Sequence, residues 1–146
     1  MISKLLIVDD DNYKTVNIEN LIASYNNSIE VSVERALNPG LLRIRNDTFD
    51  LIILDMSLPL FDKAESSNFN PFGGIKFLKE MKRKRIEIPT IIVTQYEIFG
   101  EGESRKTSEM IDIQCKEGFN NYYGLVIYSS INNKWKERLL KMIGEV

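Results

Sequence analysis

The chain has 146 residues, enough for one domain around a single buried core, and 43% of them are hydrophobic, enough to fill it. With 19 basic residues against 21 acidic ones, the net charge of -2 gives no electrostatic reason for nucleic acid or an anionic membrane to be a general partner. One cysteine, Cys115, excludes an intrachain disulfide framework and a multi-cysteine zinc site, and the absence of histidine removes histidine triads, HExxH metal sites and imidazole acid/base chemistry. Carboxylates, hydroxyls and lysines are left to carry any reaction.

No apolar run approaches the roughly 20 residues of a spanning helix. The N-terminus leads into an apolar run too short for a signal sequence, so the expectation is a soluble, cytoplasmic protein. The first such run is Leu5-Leu6-Ile7-Val8, short, apolar and bounded by polar residues, as a strand buried on both faces should be. Ile18, Leu21, Ile22 and Tyr25 then recur at helical spacing. Residues 29–34 alternate, with Ile29, Val31 and Val33 against Glu30, Ser32 and Glu34, which predicts an edge strand. Asn38-Pro39 reads as an N-cap followed by proline at the first helical position, opening a short helix through Leu41, Leu42 and Ile44.

Leu51-Ile52-Ile53-Leu54 is the third predicted strand, and Ile75, Leu78 and Met81 mark the next helix. Ile91-Ile92-Val93 predicts the fourth strand. Residues 104–116 read as a weaker helix closed by Gly118, and Leu125-Val126-Ile127 as the fifth strand. Ile131, Trp135, Leu139, Met142 and Ile143 form the clearest helical stripe. Two polar stretches, 60–72 and 96–103, fit no element and follow strand ends. Five strands alternating with helices imply βαβ units and a doubly wound α/β fold with a parallel sheet, filling residues 1–146 as a single domain.

The first strand runs into Asp9-Asp10-Asp11, and the third ends in Asp55. In an open α/β sheet the ligand crevice lies at the carboxyl ends of the strands, where the winding direction reverses. Acids crowded there repel one another unless a cation neutralises them, and hard oxygen ligands suit Mg2+. Aspartate is also a favoured cap and turn residue, so each cluster alone would read equally well as ordinary helix and turn chemistry. Thr94 closes the fourth strand at the same edge and offers a hydroxyl. Together the strand ends supply metal ligands, a carboxylate nucleophile and a hydrogen-bond donor, the parts needed for phosphoryl transfer.

Over Leu5-Leu6-Ile7-Val8-Asp9-Asp10, residues 50–59 with the Asp-x-x-x-Pro spacing of Asp55 and Pro59, and residues 88–94, the chain resembles the receiver domain of bacterial two-component response regulators. The resemblance implies a flavodoxin-like sheet with strand order 2-1-3-4-5. It makes Asp55 the phosphoacceptor and Asp9 and Asp10 metal-site acids, with Ser57 a metal ligand through its backbone carbonyl, and gives Thr94 the contact to the phosphoryl group. It also implies Mg2+, a histidine kinase or phosphotransfer protein as donor, output through a downstream partner or self-association, and no turnover activity.

Some features depart from that family. Its lysine at the end of the last strand has no counterpart, since neither Lys nor Arg occurs between Lys116 and Lys134. Counting from Gly118 puts Leu125 at that position, and counting back from the last helix puts Ser129 there. Lys106, Lys116 or Lys134 could reach in from elsewhere. Gln95 stands where the family has a small residue, Tyr122 matches the family's rotating aromatic only by the count from Gly118, and the loop before Gly73-Gly74 is long. A receiver that works through phosphate on Asp55 and a receiver-like interaction module that works without it are both compatible with this pattern. A haloacid-dehalogenase-type phosphatase would need an aspartate where Ser57 stands, and a flavin or nucleotide site would need a glycine-rich or hydroxyl-rich loop where Asp9-Asp10-Asp11 stands.

Overall fold

The computed structural model describes residues 1–61 and 69–146. Its central sheet has five parallel strands, β1 (Lys4–Val8), β2 (Glu30–Glu34), β3 (Leu51–Leu54), β6 (Thr90–Thr94) and β9 (Tyr122–Ile127), in the order β2-β1-β3-β6-β9. This is the predicted doubly wound arrangement, with β2 at an edge. The helices are α1 (Asn12–Tyr25), α2 (Leu37–Asn46), α3 (Gly73–Arg83), α4 (Ser108–Gly118) and α5 (Lys134–Glu145).

Alternate strand residues feed two cores, because successive side chains of a strand point to opposite faces. Leu6, Val8, Ile52, Leu54 and Ile92 pack with α2, α3 and α4 through Leu37, Phe77, Leu78 and Ile111. Leu5, Ile7, Ile53, Ile91 and Val93 pack on the other face with α1 and α5 through Ile18, Ile22, Trp135 and Leu139.

The boundaries differ from expectation in four places. Helix α4 begins at Ser108, after Thr107, whose hydroxyl accepts from the Met110 N–H, and not at residue 104; Gly118 is its last residue, and the extended Phe119 is its C-cap. Helix α2 begins two residues before Pro39, after Ala36 rather than Asn38, and has no side-chain cap. Proline is tolerated there because the first four helical N–H groups have no intrahelical partner; that of Asn38 donates instead to the Leu60 carbonyl at 3.0 Å. Ile131 lies outside α5 and is 94% exposed, so the stripe begins at Trp135. Each stretch expected to lack structure contributes one strand to a small antiparallel ladder, and residues 106–107, where the spacing predicts a helix, form a partner strand. One ladder joins β4 (Leu58–Pro59) to β5 (Phe69–Asn70), and the other joins β7 (Ile98–Phe99) to β8 (Lys106–Thr107). The central part of the long loop, 62–68, lies outside the described residues.

Trp135 is 3% exposed, with its ring centroid 4.8 Å from that of Tyr128. Trp135→Ala should therefore cost about 3 to 5 kcal/mol of stability in denaturant unfolding, whereas Ile131→Ala should be within about 0.5 kcal/mol of the unaltered protein.

Candidate functional site

The parallel ladders bring the ends of β1, β3 and β6 to one edge. Val8 pairs with Leu54, and Leu54 with Ile92. The residues that follow, Asp9 and Asp55, are held by backbone bonds from Asp9 N–H to the Glu34 carbonyl and from Asp55 N–H to the Val8 carbonyl, each 3.0 Å. One carboxylate oxygen from each of Asp9, Asp10 and Asp55 falls within 4.8 Å of the others. Asp9 and Asp55 are buried, at 2% and 6% exposure, while Asp10 is open to solvent. The predicted convergence of acids is present.

Asp11 is the N-cap of α1, its carboxylate accepting from the Lys14 N–H at 3.1 Å. The cap chemistry and the metal-type cluster considered for Asp9-Asp10-Asp11 are thus both realised, on different residues. Ser57 is buried, with its hydroxyl 3.4 Å from the Pro71 carbonyl. Thr94 is fully buried at the end of β6, and its hydroxyl oxygen lies 3.5 Å from the Tyr96 N–H.

The start of α3 presses against this edge. The Gly74 N–H donates to the Met56 carbonyl at 2.7 Å, and a Cβ on Gly74 would stand 2.8 Å from the Asp55 carbonyl oxygen. Glycine at this position is what permits helix and strand end to approach so closely.

The charge that sequence reasoning did not find is Lys14. Its ammonium is fully buried, 2.6 Å from Asp9 Oδ2, 3.3 Å from Asp55 Oδ1 and 2.6 Å from the Val93 carbonyl. Those contacts reach the ends of β1, β3 and β6 at once. A signal was present in the sequence: Lys14 lies four and eight residues before Ile18 and Ile22, on the apolar stripe of α1, where a solvated lysine would be out of place.

The alternatives considered for a cation do not reach the acids. Lys106 donates to Gln114 at 2.6 Å, Lys116 pairs with Asp112 at 3.0 Å, and Lys134 is exposed at the start of α5. Neither counting matches the register of the last strand: Ser129 lies beyond the end of β9, its hydroxyl oxygen accepting from the Ile131 N–H at 3.1 Å. Leu125 packs in the core and pairs with Ile92, while Thr94 lies opposite Ile127. The next residue, Tyr128, is buried against Trp135, with its hydroxyl 2.8 Å from the Asn17 amide nitrogen.

Tyr122 begins β9 and pairs with Thr90, four residues or about 13 Å along the strand from Thr94. Its hydroxyl donates to Asp112 at 2.6 Å. It is a packing residue at the far end of the sheet. Gln95 is exposed, with its amide 3.1 Å from the Tyr96 hydroxyl.

Burial dominates the electrostatics. It pushes the Asp55 carboxyl up to about 7, against the opposing pull of Lys14 and with the help of Asp9. Asp9 is raised by burial, partly offset by Lys14, and Asp10 is raised by burial and by Asp9. Burial pulls Lys14 down, but Asp55 and Asp9 outweigh it and hold the ammonium charged, its pKa above the ordinary value. Cys115 is buried, and burial pushes its thiol up to about 12.

The response regulator receiver domain family matches residues 5–113. The chain belongs to that family. It is 29% identical over 149 residues to the Detocs response regulatory protein DtcB of Enterobacter cloacae (strain JD6301), with 98% of this chain and 99% of that one covered. A CheY-like response regulator receiver domain protein from Methanospirillum hungatei JF-1 superposes with a TM-score of 0.65 at 23% identity, covering 99% of this chain and 93% of the other. The response regulator protein TrrA from Thermotoga maritima, solved in complex with Mg(2+)-BeF, superposes with a TM-score of 0.62 at 18% identity over 96% of this receiver and 98% of TrrA. The likeness to both solved structures is one of fold.

The raised Asp55 carboxyl has a signed consequence for stability. Between its ordinary 3.8 and about 7, the metal-free folded protein holds a proton on Asp55 that the unfolded chain has released. The contribution of this group to stability therefore falls as pH rises through that window. Asp55→Asn has no such proton, so its stability relative to the unaltered protein should grow from pH 4 to pH 7 and level off above, as read by urea unfolding without divalent metal. A pH-independent difference would place Asp55 in a more hydrated setting.

Proposed function

We propose that this chain is a two-component receiver that accepts a phosphoryl group on Asp55 with Mg2+ and thereby alters its binding to a partner. The observation that carries this reading is the placement of Asp55 beside Asp9 and Asp10 at the carboxyl edge of the sheet, with Asp10 open to solvent and Asp9 and Asp55 nearly dry. Residues 1–146 are taken as one receiver unit.

The donor set fits a hard divalent cation, since it offers carboxylate oxygens alone. Asp10 and Asp55 would hold Mg2+ directly and Asp9 through its remaining lone pairs or a water, because Asp9 already accepts from Lys14 and from the Asp11 N–H at 3.0 Å. The Ser57 backbone carbonyl would complete the protein ligands. Bound there, the ion would neutralise charge on the transferred group and on Asp55.

A carboxylate oxygen of Asp55 forms the new bond to phosphorus as the bond to the donor breaks, and the electron pair leaves with the donor, a phosphohistidine of a kinase or phosphotransfer protein. The Met56 N–H, 2.8 Å from Asp55 Oδ1, fixes the orientation of the nucleophile. Thr94 supplies the hydroxyl that follows the phosphoryl group, and the N–H of Tyr96, in the segment leading into β7, lies within reach of that hydroxyl. The protein is a phosphoacceptor with no turnover activity, and its place is the cytoplasm; no described helix is long and apolar enough to cross a membrane.

A second reading draws support from Lys14. An ammonium already seated between Asp9 and Asp55 offsets part of the acids' charge with neither metal nor phosphate present, which suits a module that binds partners without phosphorylation.

Exposure to acetyl phosphate and Mg2+ should produce a retarded band in a phosphate-affinity gel, absent in Asp55→Asn. A folded, Mg2+-binding protein that takes no label from either acetyl phosphate or a histidine kinase would favour the second reading. Mg2+ should raise the melting temperature by mass action, and Asp10→Asn should remove that shift. Because protons compete for the same oxygens, Mg2+ affinity should weaken as pH falls through about 7, the value to which burial raises Asp55. Calorimetric titrations at pH 6 and pH 8 would measure the difference.

A further inference from the structure

We infer that Lys14 is the cation that meets the transferred phosphoryl group, delivered to the site from the first turn of α1 instead of from the last strand. The inference rests on the receiver reading above and adds to it a lysine whose element and position differ from those the family resemblance implies.

The last strand brings no cation. β9 contains neither lysine nor arginine, and the position after Thr94's partner is filled by Tyr128, locked by its ring against Trp135 and by its hydroxyl to Asn17. At the site itself, the Lys14 ammonium lies 3.3 Å from Asp55 Oδ1. A phosphoryl group bonded to Asp55 would place its oxygens within two or three bonds of that atom, inside the reach of a long, flexible lysine side chain.

Its other two contacts aim it. An ammonium has three donors, and Asp9 Oδ2 and the Val93 carbonyl, both at 2.6 Å, take two of them. The third faces Asp55, and it is the longest of the three bonds. Lys14 is thus tightly held by two fixed acceptors and loosely held by the one that reacts. A purely structural counter-ion would gain most from equal contacts with both carboxylates. When Asp55 is esterified its own negative charge disappears and the phosphoryl group brings more charge slightly farther out, where the third donor can follow it.

Placement on α1 is specified locally. Asp11 caps the helix by accepting from the Lys14 N–H, and Ile18 and Ile22 anchor the same face in the core. The side chain therefore enters the crevice from a helix fixed at both ends of its first two turns.

The test compares the unaltered protein, Lys14→Met and Lys14→Arg for the rate of Asp55 labelling by acetyl phosphate, alongside Mg2+ binding followed by thermal shift. Lys14→Met should retain Mg2+ binding, since Asp9 loses its competing partner, yet label at least tenfold more slowly. Lys14→Arg, which keeps the charge, should recover part of the rate. Labelling of a folded Lys14→Met protein within twofold of the unaltered rate would overturn the inference while leaving the receiver reading intact. No label on the unaltered protein would overturn both. Should Lys14→Met fail to fold, the unaltered protein decides: with 15N-lysine, the buried ammonium resonance, assigned by its loss in Lys14→Arg, should shift when beryllofluoride is added to the Mg2+-loaded protein. An unchanged resonance on formation of that adduct would overturn the inference.

Discussion

A fully buried ammonium held between two nearly dry carboxylates is the constraint around which the working edge of this sheet is arranged. Taking an ion out of water costs several kcal/mol even after relaxation, and the cost is recovered only where geometry and hydrogen bonding are good. Here all three ammonium donors have acceptors, and both acids have further backbone donors in Asp11 and Met56. Those requirements fix the first turn of α1, the ends of β1, β3 and β6, and the spacing between them. The close approach of Gly74 to the Asp55 carbonyl belongs to the same set, since a larger residue would push the end of β3 out of line.

The net charge of this arrangement is as important as its geometry. With Asp55 ionised, Asp9, Asp55 and Lys14 sum to one negative charge in a dry crevice, and Asp10 at the rim adds another. That is a poor place for a bare phosphoryl group and a good one for a divalent cation. Lys14 lowers the repulsion between Asp9 and Asp55 when both are ionised, which favours burying the two together.

Much of this could be read in the sequence because it rests on short-range pattern. A parallel sheet covered on both faces demands continuous apolar runs, and the four such runs lie within β1, β3, β6 and β9, none ending more than three residues from the end of its strand. Asp9, Asp10 and Asp55 were legible because acids at the carboxyl ends of adjacent strands have few other reasons to coincide. Lys14 was not, because lysines on a covering helix are usually solvated, and its burial depends on a long side chain reaching back past Asp11 into a crevice that only the folded sheet creates. The two-residue ladders β4–β5 and β7–β8 were invisible for a different reason: a pair of residues has no period to detect. Pro39 misled because proline is favoured at the first helical position, yet is sterically acceptable anywhere in the first turn.

Carrying the cation on a helix changes what the site can act upon. A lysine at a strand end would be held by the ladder and would transmit little beyond its own rotamer. Lys14 instead belongs to α1, which packs against α5 and whose Asn17, one turn further along, contacts the Tyr128 hydroxyl; Tyr128 in turn lies against Trp135 of α5. Thr94, at the end of β6, lies close to Tyr96 in the segment that leads into the hairpin of β7 and β8. If Asp55 takes a phosphoryl group as proposed, the change of charge has two sets of contacts to act through, one by the buried ammonium toward the α1 and α5 face, the other by the threonine toward the hairpin. The tilt between them is set by how much of the new charge the ammonium takes up: the more firmly Lys14 follows it, the less is left to draw Thr94 inward.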